Sequence, residues 1–387
     1  MAKELAFVLI NPYTIQKSRT GGVIGRVIMR TDLKLAAARM FGPSRELVEQ
    51  YAAHLEAAEP GNPRVCGLLA DYVRRSYAPD PETGRARRVM LLLFEGENAV
   101  EKIWKATGSA TWHVVSGSTI RDTFGDYIED PDGSVRYFEP AILVGPTLER
   151  CGATLRLWAR HSESDGGIVE KAADVSHAAG VQQTLVLLKP DNFRFASLRP
   201  GSIIDVLSTS GLRIVGVKKH SMTVAQAMEF YGPVREALRS KFENIGWAKA
   251  VEVLSREFGF KVPEAAARDL CRALGAQFAD SQFEHIIKFM TGFRPQECLP
   301  GQESVTIREE CLALVYEGVD AVRVIRDIVG PTDPSKARPG SVRREFGSDI
   351  MVNAAHASDS TENAQREMAI IRVAEDTIRP LVEKYYG

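Results

Sequence analysis

The residues between positions 353 and 367 are the ones best suited to chemistry, because a single histidine, His356, is surrounded there by small residues. An imidazole among small side chains leaves room for a bulky group such as a phosphate. Asp359 or Ser360 is a favourable N-cap for a helix that would carry Glu367. A carboxylate there can bind one ring nitrogen, fix the tautomer and leave the other nitrogen as a nucleophile. Taken alone, however, a histidine before a helix is more often a structural hydrogen-bonding residue.

Three cations upstream could bind phosphate, since each lies beside Gly, Pro or Thr at the predicted edge of an element: Lys189, Arg326 and Arg343. Arginine offers a planar fork of donors to phosphate oxygens, and lysine offers a point charge. The turn around Thr332 could add a hydroxyl. Any one of these cations alone is better explained as a solvated surface residue, so the hypothesis depends on the set. The glycine-rich fingerprints of P-loop and Rossmann nucleotide sites do not occur.

The elements that must position these residues come from a sequence that is repeated once along the chain. Three matches occur in the same order, which indicates a duplicated domain. Residues 9–12 match 187–190, residues 94–96 match 316–318, and residues 120–125 match 342–347.

Each copy has the pattern of a strand, a helix and a strand, then a variable helical stretch, a further strand and helix, and a closing strand and helix. Strands alternating with helices predict an α/β or α+β layer architecture. We expect a first domain at 1–160, a linker at 161–180, where Ser, Glu, Asp, Gly and Ala dominate, and a second domain at 181–387. Residues 233–281 lack a clear counterpart in the first copy and predict a helical insertion.

Composition limits the classes of partner. The 387-residue chain has 44% hydrophobic residues, enough for two cores, and its net charge of -1 provides no field that would attract nucleic acid or an anionic membrane, so we expect neither as a partner. Five scattered cysteines without a C-x-x-C pair indicate neither a disulfide framework nor a zinc cluster, and favour a cytoplasmic location. The N-terminal apolar run is too short for a signal peptide, and no segment approaches the roughly 20 apolar residues that span a bilayer.

The second copy resembles the nucleoside diphosphate kinase family. The family's signature, Asn-x-x-His-x-Ser-Asp-Ser with a glutamate further into the following helix, is complete in residues 353–360 and Glu367. The resemblance covers essentially all of residues 181–375 except the insertion. It implies a ferredoxin-like βαββαβ sandwich for each copy, two such domains in tandem.

The resemblance also implies a reaction. His356 would attack the γ-phosphate of a nucleoside triphosphate, with ATP as the usual donor, and the phosphohistidine would then pass its phosphoryl group to a nucleoside diphosphate. Ser358 and Glu367 would orient His356, and Tyr231 would lie close to it.

Further residues would hold the nucleotide if the resemblance extends to them. Arg326, Arg343 and Thr332 would bind the phosphates, with Mg²⁺ bridging phosphate oxygens. Lys189 and Asn353 would contact the ribose hydroxyls and the nearby phosphate.

Family members also stack an aromatic side chain on the base. Phe283 is the candidate, although an ungapped match places Gln282 there. The insertion enters where the family has a helical hairpin over the base, so it is either a cap on the nucleotide or a surface used for assembly.

The first copy departs from this pattern at the residues that matter. Asn11, Trp104 and Leu143 stand where the second copy has the lysine, the first arginine and the histidine of the site, and only Arg121 matches, opposite Arg343. We therefore predict a pseudokinase domain, retained for folding, assembly or regulation.

One alternative is that this segment is misaligned, but neither of the nearest histidines, His113 and His161, has the small-residue surroundings of His356 or the spacing of serine and aspartate that follows it. Because kinases of the family assemble through dimers, the first copy could form an intrachain pseudo-dimer with the second, or the chain could form a homo-oligomer. The competing functional hypothesis is a nucleotide-binding regulatory or scaffold protein with little or no turnover.

Overall fold

The protein forms two compact units in the computed structural model. The model describes residues 3–57, 62–111, 117–170, 172, 179–305 and 308–387. The larger unit comprises Met1–His220 with Cys311–Gly387, and the smaller one comprises Ser221–Glu310. None of the helices in these described ranges is both long enough and apolar enough to cross a membrane.

The first copy lies within the larger unit and is built around strands whose apolar residues are buried. In chain order its elements are β1 (Lys3–Ile10), α1 (Pro12–Gln16), α2 (Thr20–Thr31), β2 (Lys34–Phe41), α3 (Arg45–Glu56), α4 (Pro63–Tyr77), β3 (Val89–Glu97), α5 (Ala99–Thr107), α6 (Ile120–Phe124), β4 (Asp126–Glu129), β5 (Val135–Glu139), β6 (Ile142–Leu143), α7 (Leu148–Arg160) and β7 (Gly166–Gly167).

The second copy repeats this order, with a longer pair of helices between its second and third strands. Its elements are β8 (Val181–Leu188), α8 (Arg199–Ser208), β9 (Arg213–His220), α9 (Val224–Phe258), α10 (Glu264–Thr291), β10 (Cys311–Val319), α11 (Ala321–Val329), α12 (Val342–Phe346), β11 (Ala355–Ala357), α13 (Thr361–Ile370) and α14 (Ile378–Tyr386), with short 3-10 turns at Pro190–Asn192, Pro295–Glu297 and Pro334–Lys336.

Each copy contains four antiparallel strands in the same spatial order. The order is β2-β3-β1-β6 in the first copy and β9-β10-β8-β11 in the second. The third strand thus lies between the first and second strands, and the fourth lies beside the first. This is the ferredoxin-like βαββαβ topology, present twice in tandem, as the sequence predicts.

The two sheets join edge to edge through β2 and β9, where Arg39 lies opposite Lys218. Both side chains are buried, and both donate to backbone carbonyls of the segment before α14. Arg39 Nη1 lies 2.7 Å from the Glu375 oxygen, and Lys218 Nζ lies 2.9 Å from the Arg372 oxygen. Lys218 Nζ also contacts the Glu375 carboxylate at 2.8 Å. The buried cations are thus hydrogen-bonded, as buried polar groups usually are. Their contacts hold the C-terminal segment against the strands where the two sheets meet.

Helices α2 and α8 cross at glycines from the two copies. A Cβ on Gly201 would clash with the carbonyl oxygen of Gly21 and lie 2.9 Å from the Cα of Gly25. The two helix backbones therefore approach so closely that a side chain at the crossing would force them apart.

The segment predicted as the linker is partly structured. Gly166–Gly167 forms β7 and pairs with Met40 and Phe41 of β2. Residues 171 and 173–178 of that segment lie outside the described residues.

The smaller unit is a helical hairpin. Helix α9 begins after Thr223, whose side chain accepts a hydrogen bond from Gln226 N in a capping box, and it ends at Gly259 in the left-handed conformation. Within the hairpin the Phe242 and Phe278 rings stack with centroids 4.1 Å apart. The helical pair thus extends beyond the predicted 233–281 at both ends. In the first copy, α3 and α4 occupy the same place in the chain order, so the second hairpin is a longer version of a shared element.

Candidate active site

Strand β11 holds His356 at the end of the sheet of the second copy. The strand pairs with β8, and His356 lies opposite Leu187. Its neighbours Ala355 and Ala357 are buried while His356 is half-buried, because successive side chains of a strand point to opposite faces. Ala354, just before the strand, has a positive φ of 68°, a left-handed backbone conformation that costs a residue with a Cβ more than it costs glycine.

Glu367 contacts both His356 and Ser358. His356 Nε2 lies 2.9 Å from Glu367 Oε2, and Ser358 Oγ donates to the same oxygen at 2.6 Å. Because an ionised carboxylate only accepts hydrogen bonds, Nε2 carries the proton and Nδ1 is the ring nitrogen that Glu367 does not bind. Glu367 is buried on α13, and the side chain of Ser360 caps that helix by accepting from Asn363 N at 3.0 Å.

Lys189 and Asn353 join three segments around this site. Lys189 Nζ donates to Asn353 Oδ1 at 2.7 Å, and Asn353 Nδ2 donates to the carbonyl oxygens of Thr332 and Ile350 at 3.1 and 2.8 Å. Burial and, to a smaller extent, the nearby Arg343 charge lower the pKa of Lys189 to about 8, while the charges of Asp191 and Asp349 oppose this shift. The surroundings of Lys189 therefore disfavour its charged form, and an anion bound beside it would stabilise that form.

Arg343 is half-buried on α12 and contacts backbone on two sides. Its Nη1 donates to the Gly330 oxygen at 2.8 Å, and its Nη2 donates to the Ala355 oxygen at 2.9 Å, next to His356. The Thr332 side chain is exposed in the turn that Asn353 holds. Arg326 is exposed on α11, and the described residues provide its guanidinium with no hydrogen-bond or ion-pair partner.

A hydrogen-bonded group of side chains that follows Lys189 in the chain was not predicted from the sequence. Asn192 Nδ2 donates to the Ala354 oxygen at 2.7 Å, and Arg199 Nε donates to Asn192 Oδ1 at 2.8 Å. Arg199 Nη2 also contacts Asp191 Oδ2 at 2.8 Å. These residues fix the backbone two positions before His356. The one sequence signal for this group is that Asp191 lies in the segment after Lys189 that resembles the family.

Two residues assigned by resemblance lie in the helical hairpin. Tyr231 is buried on α9, with its ring centroid 4.9 Å from that of Phe230. Phe283 on α10 is 7% exposed, and the Arg235 guanidinium lies 6.0 Å from its ring centroid. A residue that stacks on a base needs an accessible ring face, so the stacking role of Phe283 stays a prediction that requires its ring to become accessible.

Comparison with known proteins finds a known family over the part of this site that includes His356. Residues 275–376 match the family model of nucleoside diphosphate kinase. The chain carries a domain of the nucleoside diphosphate kinase family. A nucleoside diphosphate kinase of Campylobacter hominis is 29% identical over 189 residues, which cover 49% of this chain and 93% of that protein. One of Aquifex aeolicus is 29% identical over 194 residues, covering 49% and 94%.

Solved structures of the family cover a similar share of the chain. A crystal structure of the Aquifex aeolicus nucleoside diphosphate kinase covers 49% of this chain with a TM-score of 0.30 at 29% identity, and 94% of that chain is matched. One from Pyrobaculum aerophilum covers 51% with a TM-score of 0.35 at 24% identity, and all of that chain is matched. The remaining half of the chain is outside these matches, and the fold of both copies follows from their strand order.

In the first copy, the position that corresponds to the candidate active site is filled by that copy's own side chains. Tyr77 Oη donates to Asn11 Oδ1 at 2.6 Å, and Asn11 Nδ2 donates to Glu139 Oε1 at 3.2 Å. Tyr72 Oη donates to Glu139 Oε2 at 2.7 Å. All four residues are buried, and burial raises the pKa of the Glu139 carboxyl. A buried carboxyl and two tyrosines make this a packed polar core.

Arg121 binds backbone carbonyls in the first copy as Arg343 does in the second copy. Arg121 Nη1 donates to the Gly108 oxygen at 2.9 Å, and Nη2 donates to the Ile142 oxygen at 3.1 Å. Gly108 and Ile142 correspond to Gly330 and Ala355, the two carbonyls that Arg343 binds. Arg121 is fully buried, which accords with a structural role. His161 binds Gln50 through Nε2 at 3.2 Å, and His113 lies outside the described residues.

Proposed function

We propose that the kinase domain transfers the γ-phosphate of a nucleoside triphosphate, with ATP as donor, to a nucleoside diphosphate by a ping-pong reaction through His356. The observation that carries this proposal is the contact between His356 Nε2 and Glu367 Oε2 at 2.9 Å, together with the Ser358 hydroxyl on the same oxygen. A protein that only binds nucleotides has no need of an imidazole oriented in this way.

Each half-reaction exchanges one bond to phosphorus. His356 Nδ1 bonds to the γ-phosphorus while the bond to the β,γ-bridging oxygen breaks, and the nucleoside diphosphate leaves with the electron pair. The positive charge that develops on the imidazole is stabilised by Glu367 through the Nε2 proton. A terminal phosphate oxygen of a second diphosphate then attacks the phosphorus, and the ring recovers its electron pair.

The cations around His356 would hold the phosphates during this exchange. Lys189, Arg343 and Arg326, with the Thr332 hydroxyl, would donate to phosphate oxygens and offset the charge on the transferring group. Asn353 would keep Lys189 in place and contact the ribose. Tyr231 would lie near the imidazole.

Magnesium fits this site as part of the nucleotide complex. The described part of the chain contains no cluster of three or more His, Cys, Asp or Glu side chains placed to hold a metal, and the groups around His356 are mainly cationic or neutral donors. Mg²⁺ held by phosphate oxygens would neutralise part of the phosphate charge.

The first copy would then be a pseudokinase domain, spanning residues 1–160 and followed by the segment 161–180, with the kinase domain at 181–387. Its role would be to provide the kinase domain with a folded partner within the chain. The pairing of β2 with β9 and the filled polar core around Glu139 support this proposal.

The test is a brief incubation with Mg²⁺ and ATP labelled at the γ-phosphate. The protein should acquire an acid-labile, alkali-stable label, His356→Asn should abolish it, and His161→Asn should keep it. Glu367→Gln should slow labelling by roughly tenfold or more, because an amide stabilises the imidazolium less than a carboxylate does. Nucleotide binding without any label in the unmodified protein would favour the regulatory or scaffold alternative.

A further inference from the structure

A cavity of about 140 Å³ lies where the two copies meet, and none of the candidate active-site residues lines it. Thr20 and Arg88 of the first copy form one side, and Ser208, Arg213 and Tyr316 of the second copy form the other. No Asp or Glu is among the described residues that line this cavity. The seam cavity, as we call it, therefore has cations and hydroxyls in its wall. The nearby carboxylates of Glu317, which lies opposite Arg213, and of Asp205 are outside that wall.

Two hydroxyl groups in the wall of the seam cavity lack partners within the described residues. Thr20 and Tyr316 are 1% and 0% exposed, and neither Thr20 Oγ1 nor Tyr316 Oη has a hydrogen-bond partner there. Buried hydroxyls are normally hydrogen-bonded, because burial without a partner costs the free energy of removing them from water. Both groups can donate to a ligand.

The fold does not require the hydroxyl of Tyr316. In the first copy Phe94 pairs with Leu35 of β2, and in the second Tyr316 pairs with Ile214 of β9. Phe94 thus occupies the matching position without an oxygen. The oxygen of Tyr316 is a feature of this seam and not of the shared sheet.

Two arginines give the seam cavity its charge. Arg88 is buried and donates through Nη1 to the Ile214 oxygen at 2.7 Å. Burial and, to a smaller extent, the Arg213 charge lower the pKa of Arg88 to about 10, and the Glu317 charge opposes this shift. Arg213 is half-buried, and the described residues give its guanidinium no hydrogen-bond or ion-pair partner. An anion between the two guanidinium groups would reduce their repulsion.

We infer that the seam cavity binds a tetrahedral oxyanion of the phosphate class. Guanidinium groups and hydroxyls are the donors that suit its oxygens. A cavity of about 140 Å³ holds a few water molecules or one such ion, since each water takes about 30 Å³, and it is too small for a nucleoside. The exposed Gln16 and Ser18 also line it, so it is open to solvent on one side. The ion is either free phosphate or the terminal phosphate of a larger molecule.

Equilibrium dialysis of the full chain against radiolabelled orthophosphate, in chloride buffer of constant ionic strength, tests this inference. We expect saturable binding of one ion per chain in the seam cavity, in addition to any phosphate held by the proposed active site. Arg213→Gln should weaken it by about tenfold or more, since it removes a charge-assisted donor, and Tyr316→Phe should weaken it less. Both substitutions spare the fold, because Arg213 has no side-chain partner among the described residues and Phe already fits at the matching position.

Two control variants separate the seam cavity from other sites. Arg323→Gln alters an exposed arginine that pairs with Asp320 and Asp327 and should not change phosphate binding. Arg326→Gln alters the proposed active site and should weaken only phosphate bound there, leaving the ion whose binding depends on Arg213. Loss of binding in Arg326→Gln, or equal binding in Arg213→Gln and the unmodified protein, would overturn the assignment.

Competition experiments with the Arg326→Gln variant, whose proposed active site is weakened, distinguish the two sources of the ion. Displacement of labelled phosphate by sulfate but not by ADP indicates a free ion, and stronger displacement by ADP than by orthophosphate indicates the terminal phosphate of a nucleotide. If the unmodified protein shows no saturable binding up to millimolar phosphate, the seam cavity holds only water and the inference is wrong.

Discussion

Leu143 and His356 occupy the same register position in the two copies. Leu143 lies opposite Leu9 in the pairing of β6 with β1, and His356 lies opposite Leu187 in the pairing of β11 with β8. Leu9 and Leu187 are themselves matched in the repeat. The backbone that carries the histidine is therefore preserved in the first copy, while the side chain is apolar and buried. This register agrees with the sequence alignment and leaves no shifted histidine nearby in the strand.

Arg121 and Arg343, which occupy matching positions, provide a test of what the two copies do. Arg121→Ala should lower the free energy of unfolding by about 3 to 5 kcal/mol, because it removes a buried cation that binds carbonyls of two segments. The folded fraction should keep its turnover. Arg343→Ala should reduce turnover by about a hundredfold or more, as expected for loss of a charged transition-state contact, and it should also lower stability because Gly330 and Ala355 lose their donor.

Phosphate exchange between ATP and a second nucleoside diphosphate, normalised to the fraction folded by circular dichroism, measures both effects. Equal losses of normalised turnover in the two variants would make the first copy part of the active machinery.

The depressed pKa of Lys189 predicts how stability depends on pH. Its pKa falls from 10.5 in the unfolded chain to about 8 in the folded protein. Between these values the unfolded state binds more protons than the folded state, so stability rises with pH. The slope from this one group reaches at most about 1.4 kcal/mol per pH unit. Below pH 8 the lysine is charged in both states, and the full cost of its burial is present.

The measurement is the unfolding free energy of the unmodified protein minus that of Lys189→Met, from urea titrations at pH 7 to 10. Other lysines and tyrosines titrate alike in the two proteins and cancel. The difference should rise with pH above about 8. A flat difference would show that Lys189 is normally solvated.

The glycine crossing of α2 and α8 predicts a local sensitivity to small side chains. Gly201→Ala should destabilise the protein by about 1 to 3 kcal/mol or more, because its Cβ would overlap the Gly21 carbonyl and the Gly25 backbone. Gly67→Ala is the matched control: Gly67 is inside α4, and an added Cβ there meets nothing within 4 Å. It should stabilise by about 0.5 to 1 kcal/mol through helix propensity. Thermal unfolding compares the two, and an equal change of either sign would contradict the close crossing.

The sequence predicted more of the site than of its surroundings. His356, Ser358 and Glu367 lie within one short segment, in which β11 is followed directly by α13. A local signature is therefore enough to predict that they lie close together. The backbone role of Arg343 was not predictable, since it depends on carbonyls of Gly330 and Ala355 that only the tertiary fold brings together. Arg39 and Lys218 lie 179 positions apart in matching strands, and the C-terminal segment whose carbonyls they bind carries no sequence signal for these contacts. The position of Phe283 was uncertain because the long hairpin breaks an ungapped match.

The helical hairpin provides the last prediction. The stacked rings of Phe242 and Phe278, and the Arg268 guanidinium 4.0 Å from the Trp247 ring centroid, are contacts between parts of the hairpin itself. Replacing residues 236–278 with a short Gly/Ser linker removes both members of each pair, so no apolar surface from these pairs is left exposed. Arg235 and Asp280, which form an ion pair, would remain on either side of the linker.

We expect this shortened protein to fold and to differ roughly several-fold from the unmodified chain in nucleotide affinity or turnover, as when a segment that orders on binding is removed. Protection of residues 265–290 from hydrogen exchange on adding nucleotide to the unmodified protein would support a cap. Unchanged exchange kinetics with an altered molecular mass in solution would instead assign the hairpin to assembly. Helical content, measured by circular dichroism, must fall only by the amount of the deleted helices, because a larger loss would mean that the rest of the hairpin depends on the deleted part.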